Sequence, residues 1–162
     1  MKRLKCEIPE NLMKRATAFE RLLAEKVEDY TFGWEYYEEY EEPNAGHVAT
    51  FIPMEDDMTF TITISEKGAD IYAFGNVNRW HIENADTYSF KDMILKTSEY
   101  NYMNLCVWED EDYGTAINGK YTLPEWNEEI YTTEAYAKML DGVLTHFMEE
   151  AKAFDKLFEK WN

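Results

Sequence analysis

The chain of 162 residues reads as an α+β protein, with an antiparallel sheet of about six strands, the element order α-β-β-β-β-α-β-β-α and a long C-terminal helix packed on the sheet. Three observations predict this. Tyr136, Leu140, Val143, Phe147, Ala151, Phe154, Phe158 and Trp161 recur at steps of three and four, which puts them in one stripe along a helix. Met58, Phe60, Ile62 and Ile64 alternate with Thr59, Thr61, Thr63 and Ser65, the period of a strand with one packed and one wet face. The apolar runs between these two signals are separated by short turns rich in Gly, Pro and acid, which favours a meander. At about 1.5 Å per residue the closing helix spans roughly 40 Å. A stripe of that length needs an apolar cover, and the strands are the surface of comparable size.

The elements follow in order. Pro9 suits a helix start, and Leu12, Ala16, Phe19, Leu22 and Leu23 repeat at helical spacing, with Arg15, Glu20, Arg21 and Glu25 among them as the polar complement. This predicts a helix over residues 9–27. From Tyr30 the period becomes two, with Phe32, Trp34 and Tyr36 in phase, and a first strand follows. Pro43 to Gly46 form a turn, residues 47–53 a second strand, 58–65 a third and 70–77 a fourth. Residues 76–87 lack a period and read as a connection that lays apolar side chains on the sheet. Ser89 caps a short helix ending near Tyr100. Met103, Leu105 and Val107 open a fifth strand, residues 109–114 make an acidic turn, and residues 115–123 form a sixth strand. Thr132 or Thr133 caps the last helix. No repeat or linker divides the chain, so a single domain over residues 1–162 is expected.

Charge and motifs exclude more than they assign. Against 16 Lys and Arg stand 33 Asp and Glu, a formal charge of −17. Phosphate backbones and anionic membrane faces repel such a surface, so neither nucleic acid nor a membrane is expected as a partner. No apolar run approaches the roughly 20 residues of a transmembrane helix, and no hydrophobic segment follows the basic start, so the expected location is cytoplasmic. Cys6 and Cys106 lie far from any C-x-x-C spacing and read as two buried thiols.

The acidic run Glu109 to Gly114 fails as an EF-hand loop, because Lys120 stands where the bidentate Glu belongs. His47, His81 and His146 share no ligand spacing, no serine sits in a G-x-S-x-G context, and no phosphate-binding glycine loop occurs. No catalytic residue, cofactor or metal is therefore expected.

The positive lead is aromatic. Tyr36, Tyr37, Tyr40, Trp80, Trp108, Tyr113, Trp126 and Tyr131 exceed what a small core holds beside its aliphatic residues, and aromatics framed by acid suit a protein-binding surface. The residues expected to carry that surface are Trp34, Tyr36, Tyr37, Tyr40, Trp80 and Trp108.

The passage from Lys96 to Leu123 resembles the YbjN-like bacterial sensory-transduction regulator family, whose fold is that of type III secretion chaperones. Glu99-Tyr100-Asn101-Tyr102 ending a helix, two strands hinged at residues 109–114, the Asn101 and Asn104 pair and the closing helix carry the resemblance. It implies a single chaperone-like domain, non-enzymatic and homodimeric, that binds other proteins. The expected function is thus a protein-binding module, chaperone-like or regulatory, for a partner of unknown identity. The alternatives are a hydrolase with a carboxylate-lined cleft and an acidic inhibitor or immunity-type protein that covers a basic partner.

Overall fold

The computed structural model describes residues 8–35, 47–54, 58–75, 80–82, 95–110 and 114–159. Its elements are α1 (Glu10–Ala24), β1 (Thr31–Glu35), β2 (His47–Pro53), β3 (Met58–Ile64), β4 (Ala69–Gly75), β5 (His81–Ile82), β6 (Asn104–Asp110), β7 (Gly114–Thr122) and α2 (Thr133–Glu159). The expected α+β architecture is present, with six longer strands and the two-residue β5 in one antiparallel sheet of order β1-β2-β3-β4-β7-β5, β6 pairing with β7. The four-strand meander is therefore as expected. Of the expected second helix, residues 95–97 are helical, and its predicted start at Ser89 lies outside the described residues.

Two compact units divide the chain, one within residues 1–52, 62–70 and 122–141, the other within 53–61, 71–121 and 142–162. In the first, Pro9 sits just before α1 with extended backbone, and its carbonyl accepts from Met13 N at 3.0 Å. Leu12, Ala16, Phe19 and Leu23 are buried from α1, with Val48, Ala49 and Ile52 of β2 and Ile62 and Ile64 of β3. β1 pairs with β2 from Thr31↔Phe51 to Glu35↔His47. Thr132 is the cap of α2: its Oγ1 accepts from Ala135 N at 3.1 Å. The first turns of the helix then bury Tyr136, Ala137 and Leu140.

In the second unit the stripe continues as Phe147, Ala151, Phe154 and Phe158, all buried, but Leu144 is buried where Val143 was expected, Val143 being half-buried, and Trp161 lies outside the described residues. Phe147 meets Phe60 of β3 edge-on at 6.2 Å, which fixes the helix as cover for the sheet. The alternation of β3 puts Met58 and Phe60 inward here, as its period requires. β7 is the central strand of this unit. Ala116 pairs with Trp108 of β6 on one side and His81 of β5 on the other. Gly119 lets Met103 pass: a Cβ there would lie 2.5 Å from the Met103 sulfur. Glu109 and Asp110, expected in a turn, instead close β6, and Asp110 pairs with Gly114. Cys106 is a free thiol, half-buried rather than fully buried, because β6 lies at one side of β7; Cys6 lies outside the described residues.

Candidate functional site

The first unit carries a groove between α1 and the start of α2. One section, of about 540 Å³, is lined by Glu10, Asn11 and Lys14 on α1 and by Trp126, Glu128, Tyr131, Thr132 and Thr133. A second, of about 320 Å³, shares Glu10, Lys14 and Thr133 and extends past Met13, Thr17, Ala18 and Arg21 to Glu134. Together they form one furrow along α1. Its carboxylates are Glu10, Glu128 and Glu134, and its cations Lys14 and Arg21. Lys14 is already committed to Glu10 at 2.6 Å, one helical turn away, and this contact holds the Glu10 carboxyl below its ordinary range.

The segment that forms the far wall is tied down by backbone bonds. Trp126 N donates to Lys67 O at 2.7 Å, Leu123 N to Ala69 O at 2.9 Å, and Glu129 N to the Asn127 side-chain oxygen at 2.9 Å. Tyr136 donates its hydroxyl to Pro124 O at 2.9 Å and meets the rings of Trp126 and Tyr131 edge-on at 5.3 and 5.7 Å. Burial raises the Tyr136 hydroxyl to about 12, against the pull of Arg15 in the other direction.

Arg15 underlies this wall. Three residues after Leu12 and four before Phe19, it lies in the phase of the apolar stripe and is 1 % exposed, not on the polar side of α1 where its charge suggests. Its guanidinium stacks over Trp126 at 4.5 Å and reaches Tyr136 at 5.8 Å, while one terminal nitrogen donates to Glu66 O at 3.2 Å. Nε and the other terminal nitrogen are buried without a partner. Burial lowers the Arg15 pKa, and Tyr136 and Glu66 oppose that shift. A guanidinium stays charged at any ordinary pH, so this is a buried cation compensated by two aromatic faces and one carbonyl.

The residues expected to carry a partner surface are distributed differently. Trp80 is a correction: it is 1 % exposed and belongs to the core of the second unit. Its ring meets Phe154 edge-on at 4.8 Å, and its indole N–H donates to Asp155 at 2.9 Å, so the one polar atom of the side chain is satisfied inside. Trp34 is backbone-paired with Val48 and Trp108 with Ala116, and their side chains are outside the described residues, as are Tyr36, Tyr37 and Tyr40. Trp126 and Tyr131, from the wider aromatic set, line the groove.

The second unit holds a clamp that sequence reading missed. Glu150 on α2 accepts three consecutive backbone N–H groups, Asn101 at 2.8 Å, Tyr102 at 2.9 Å and Met103 at 2.7 Å. Beside it His146 stacks on Tyr102 at 4.8 Å. Among the described residues no group of three His, Cys, Asp or Glu is placed to hold a metal ion, and no helix is long and apolar enough to cross a membrane. Comparison with protein-family models, curated proteins and solved structures finds no match to the chain.

Proposed function

We propose that the protein is a non-enzymatic binding module that holds a segment of another protein in the furrow beside α1. The observation that carries this reading is the lining itself. Trp126, Met13 and Ala18 offer apolar surface, a fixed wall stands opposite α1, and carboxylates outnumber cations along it. The charge of −17 extends that preference over the whole chain and favours a partner segment that carries Lys or Arg. The resemblance to YbjN-like regulators implies the same class of role, and we read the compartment as the cytoplasm, in keeping with two cysteines of unrelated spacing.

Photo-crosslinking tests it. A photoreactive phenylalanine placed at Thr17 or at Glu128 is expected to capture one protein through a basic segment, less efficiently as salt rises. A crosslinker at exposed Lys152 on α2 serves as the reference. The same products from all three positions, or capture indifferent to salt, sinks the proposal.

A further inference from the structure

The walls of the furrow offer an occupant little backbone to pair with. Its lining comes from one face of α1, from the first turn of α2 and from the segment over residues 126–132, and none of it belongs to a strand. In that segment the amides are spent internally. Trp126 N donates to Lys67 O at 2.7 Å, Ile130 N and Tyr131 N donate to Asn127 O at 3.0 and 2.8 Å, and Glu129 N donates to the Asn127 side chain at 2.9 Å. Thr132 accepts from Tyr136 N through its carbonyl and from Ala135 N through its hydroxyl oxygen. A segment that docks by strand addition draws its affinity from main-chain bonds, and here it would meet side chains. A helix closes its main-chain bonds internally and asks only for side-chain contacts. A polyproline segment also needs no main-chain partner, but it rests on a row of rings, and Trp126 and Tyr131 stand in one section of the furrow while the other has none.

We propose that the segment held in the furrow is a basic amphipathic helix of another protein, an inference that rests on the binding role proposed above and specifies its partner. Glu10, Lys14, Thr17 and Arg21 fall at steps of three and four, so the furrow follows the axis of α1. From Glu10 to Arg21 that is roughly 16 Å at about 1.5 Å per residue, or about three turns of an occupant laid alongside. Such a helix presents apolar anchors at i, i+3, i+4 and i+7 on one side, and Met13, Ala18 and Trp126 are the apolar surface they meet.

Charge selects the flanks of that helix. Lys14 is spent on Glu10 at 2.6 Å, so the carboxylates left for an occupant are Glu128 in one section and Glu134 in the other, and neither pairs with another described residue. Lys or Arg beside the apolar anchors meets them.

Two Leu/Lys peptides of identical composition and about fourteen residues test the shape, one with its leucines at helical spacing and one with strict alternation. Fluorescence anisotropy of the labelled peptides reads their binding to the full chain. The helical peptide is expected to bind about tenfold more tightly than its isomer, to gain helical ellipticity when bound, and to lose affinity when a proline is placed at its centre. Glu128→Lys with Glu134→Lys weakens it by about tenfold. Glu99→Lys with Glu149→Lys, the same change of net charge at residues of the second unit that line no part of the furrow, weakens it far less. Equal affinity for the two isomers, equal effects of the two charge reversals, or no binding of either peptide overturns the helix. The binding role is judged separately: crosslinks from Thr17 and Glu128 to a basic segment that is extended would keep the furrow as a binding site and remove the helix from it.

Discussion

The indole N–H of Trp80 donates to the carboxylate of Asp155, 75 positions later in the chain, and both side chains are buried. The bond ties residue 80 to the last turns of α2 and lets a polar ring tip sit in the core of the second unit. Trp80→Phe keeps an aromatic ring beside Phe154 and removes the donor with part of the indole's volume. It is expected to cost about 1–3 kcal/mol, the usual penalty for leaving a buried partner short of a bond. Trp80→Ala, which also empties the site, costs about 3–5 kcal/mol. Urea titration of the two variants measures both, and a Trp80→Phe variant as stable as the parent would mean the bond itself contributes nothing.

Arg15 predicts the opposite kind of result. A buried cation with two nitrogens lacking partners can be replaced by an apolar chain of similar length at little cost, since the desolvation penalty disappears with the charge. Arg15→Met is therefore expected to change stability by less than about 1 kcal/mol, the lost stacking of order 1 kcal/mol being offset. Arg15→Ala leaves a cavity beside Trp126 and loses about 2–4 kcal/mol. Thermal unfolding of both variants discriminates: a large loss in Arg15→Met would show that the guanidinium, not its volume, holds the wall.

Tyr136 gives the first unit an alkaline limit. Its hydroxyl is raised to about 12 by burial, above the 10.0 of a free tyrosine, so the folded state favours the neutral ring. That contribution is complete below pH 10 and is lost as pH rises toward 12. Stability is expected to fall through this window, and Tyr136→Phe, which has no proton to lose, flattens part of the decline. Tyrosinate absorbance followed alongside circular dichroism checks it; identical curves for the variant and the parent would remove Tyr136 as the cause.

Glu150 is expected to act as a fastener. Three backbone donors converge on its carboxylate, and charge-assisted bonds of this kind contribute about 1.5–3 kcal/mol each at best, less at a half-exposed site. Glu150→Ala is predicted to cost about 2–4 kcal/mol. Its signature is local: hydrogen exchange at the amides of Asn101, Tyr102 and Met103 accelerates well beyond that of β7. Uniform acceleration across the unit would argue against a clamp.

These residues also mark where sequence reading stops. The alternation at Met58, Phe60, Ile62 and Ile64 and the stripe from Tyr136 to Phe158 are local signals of burial, and both elements stand where their periods put them. β2 runs over residues 47–53 as expected, ending at Pro53, and the turn expected before it lies outside the described residues. Trp80 has no period around it, and its partner is distant, so nothing nearby distinguishes a core tryptophan from a surface one. Arg15 did carry a signal, its phase between Leu12 and Phe19, which its charge overrode. Glu150 was one of 33 acids, and only the loop brought against it separates it from the others. The groove joins α1 to residues more than a hundred positions away, a distance no spacing rule spans.

The division into two compact units has a consequence for how the chain is made. Each unit is assembled from three separated stretches, and α2 contributes to the final stretch of both, its residues up to Asp141 belonging to one and those from Gly142 to the other. Neither can be excised as a fragment, and neither is complete until α2 has been synthesised. On the ribosome the meander of β1 to β4 emerges with its apolar face uncovered, and that face waits for the last helix; such long-range closure is slow. The acid-rich composition then acts before the fold exists, holding unfinished chains apart by mutual repulsion until Phe147 arrives to meet Phe60.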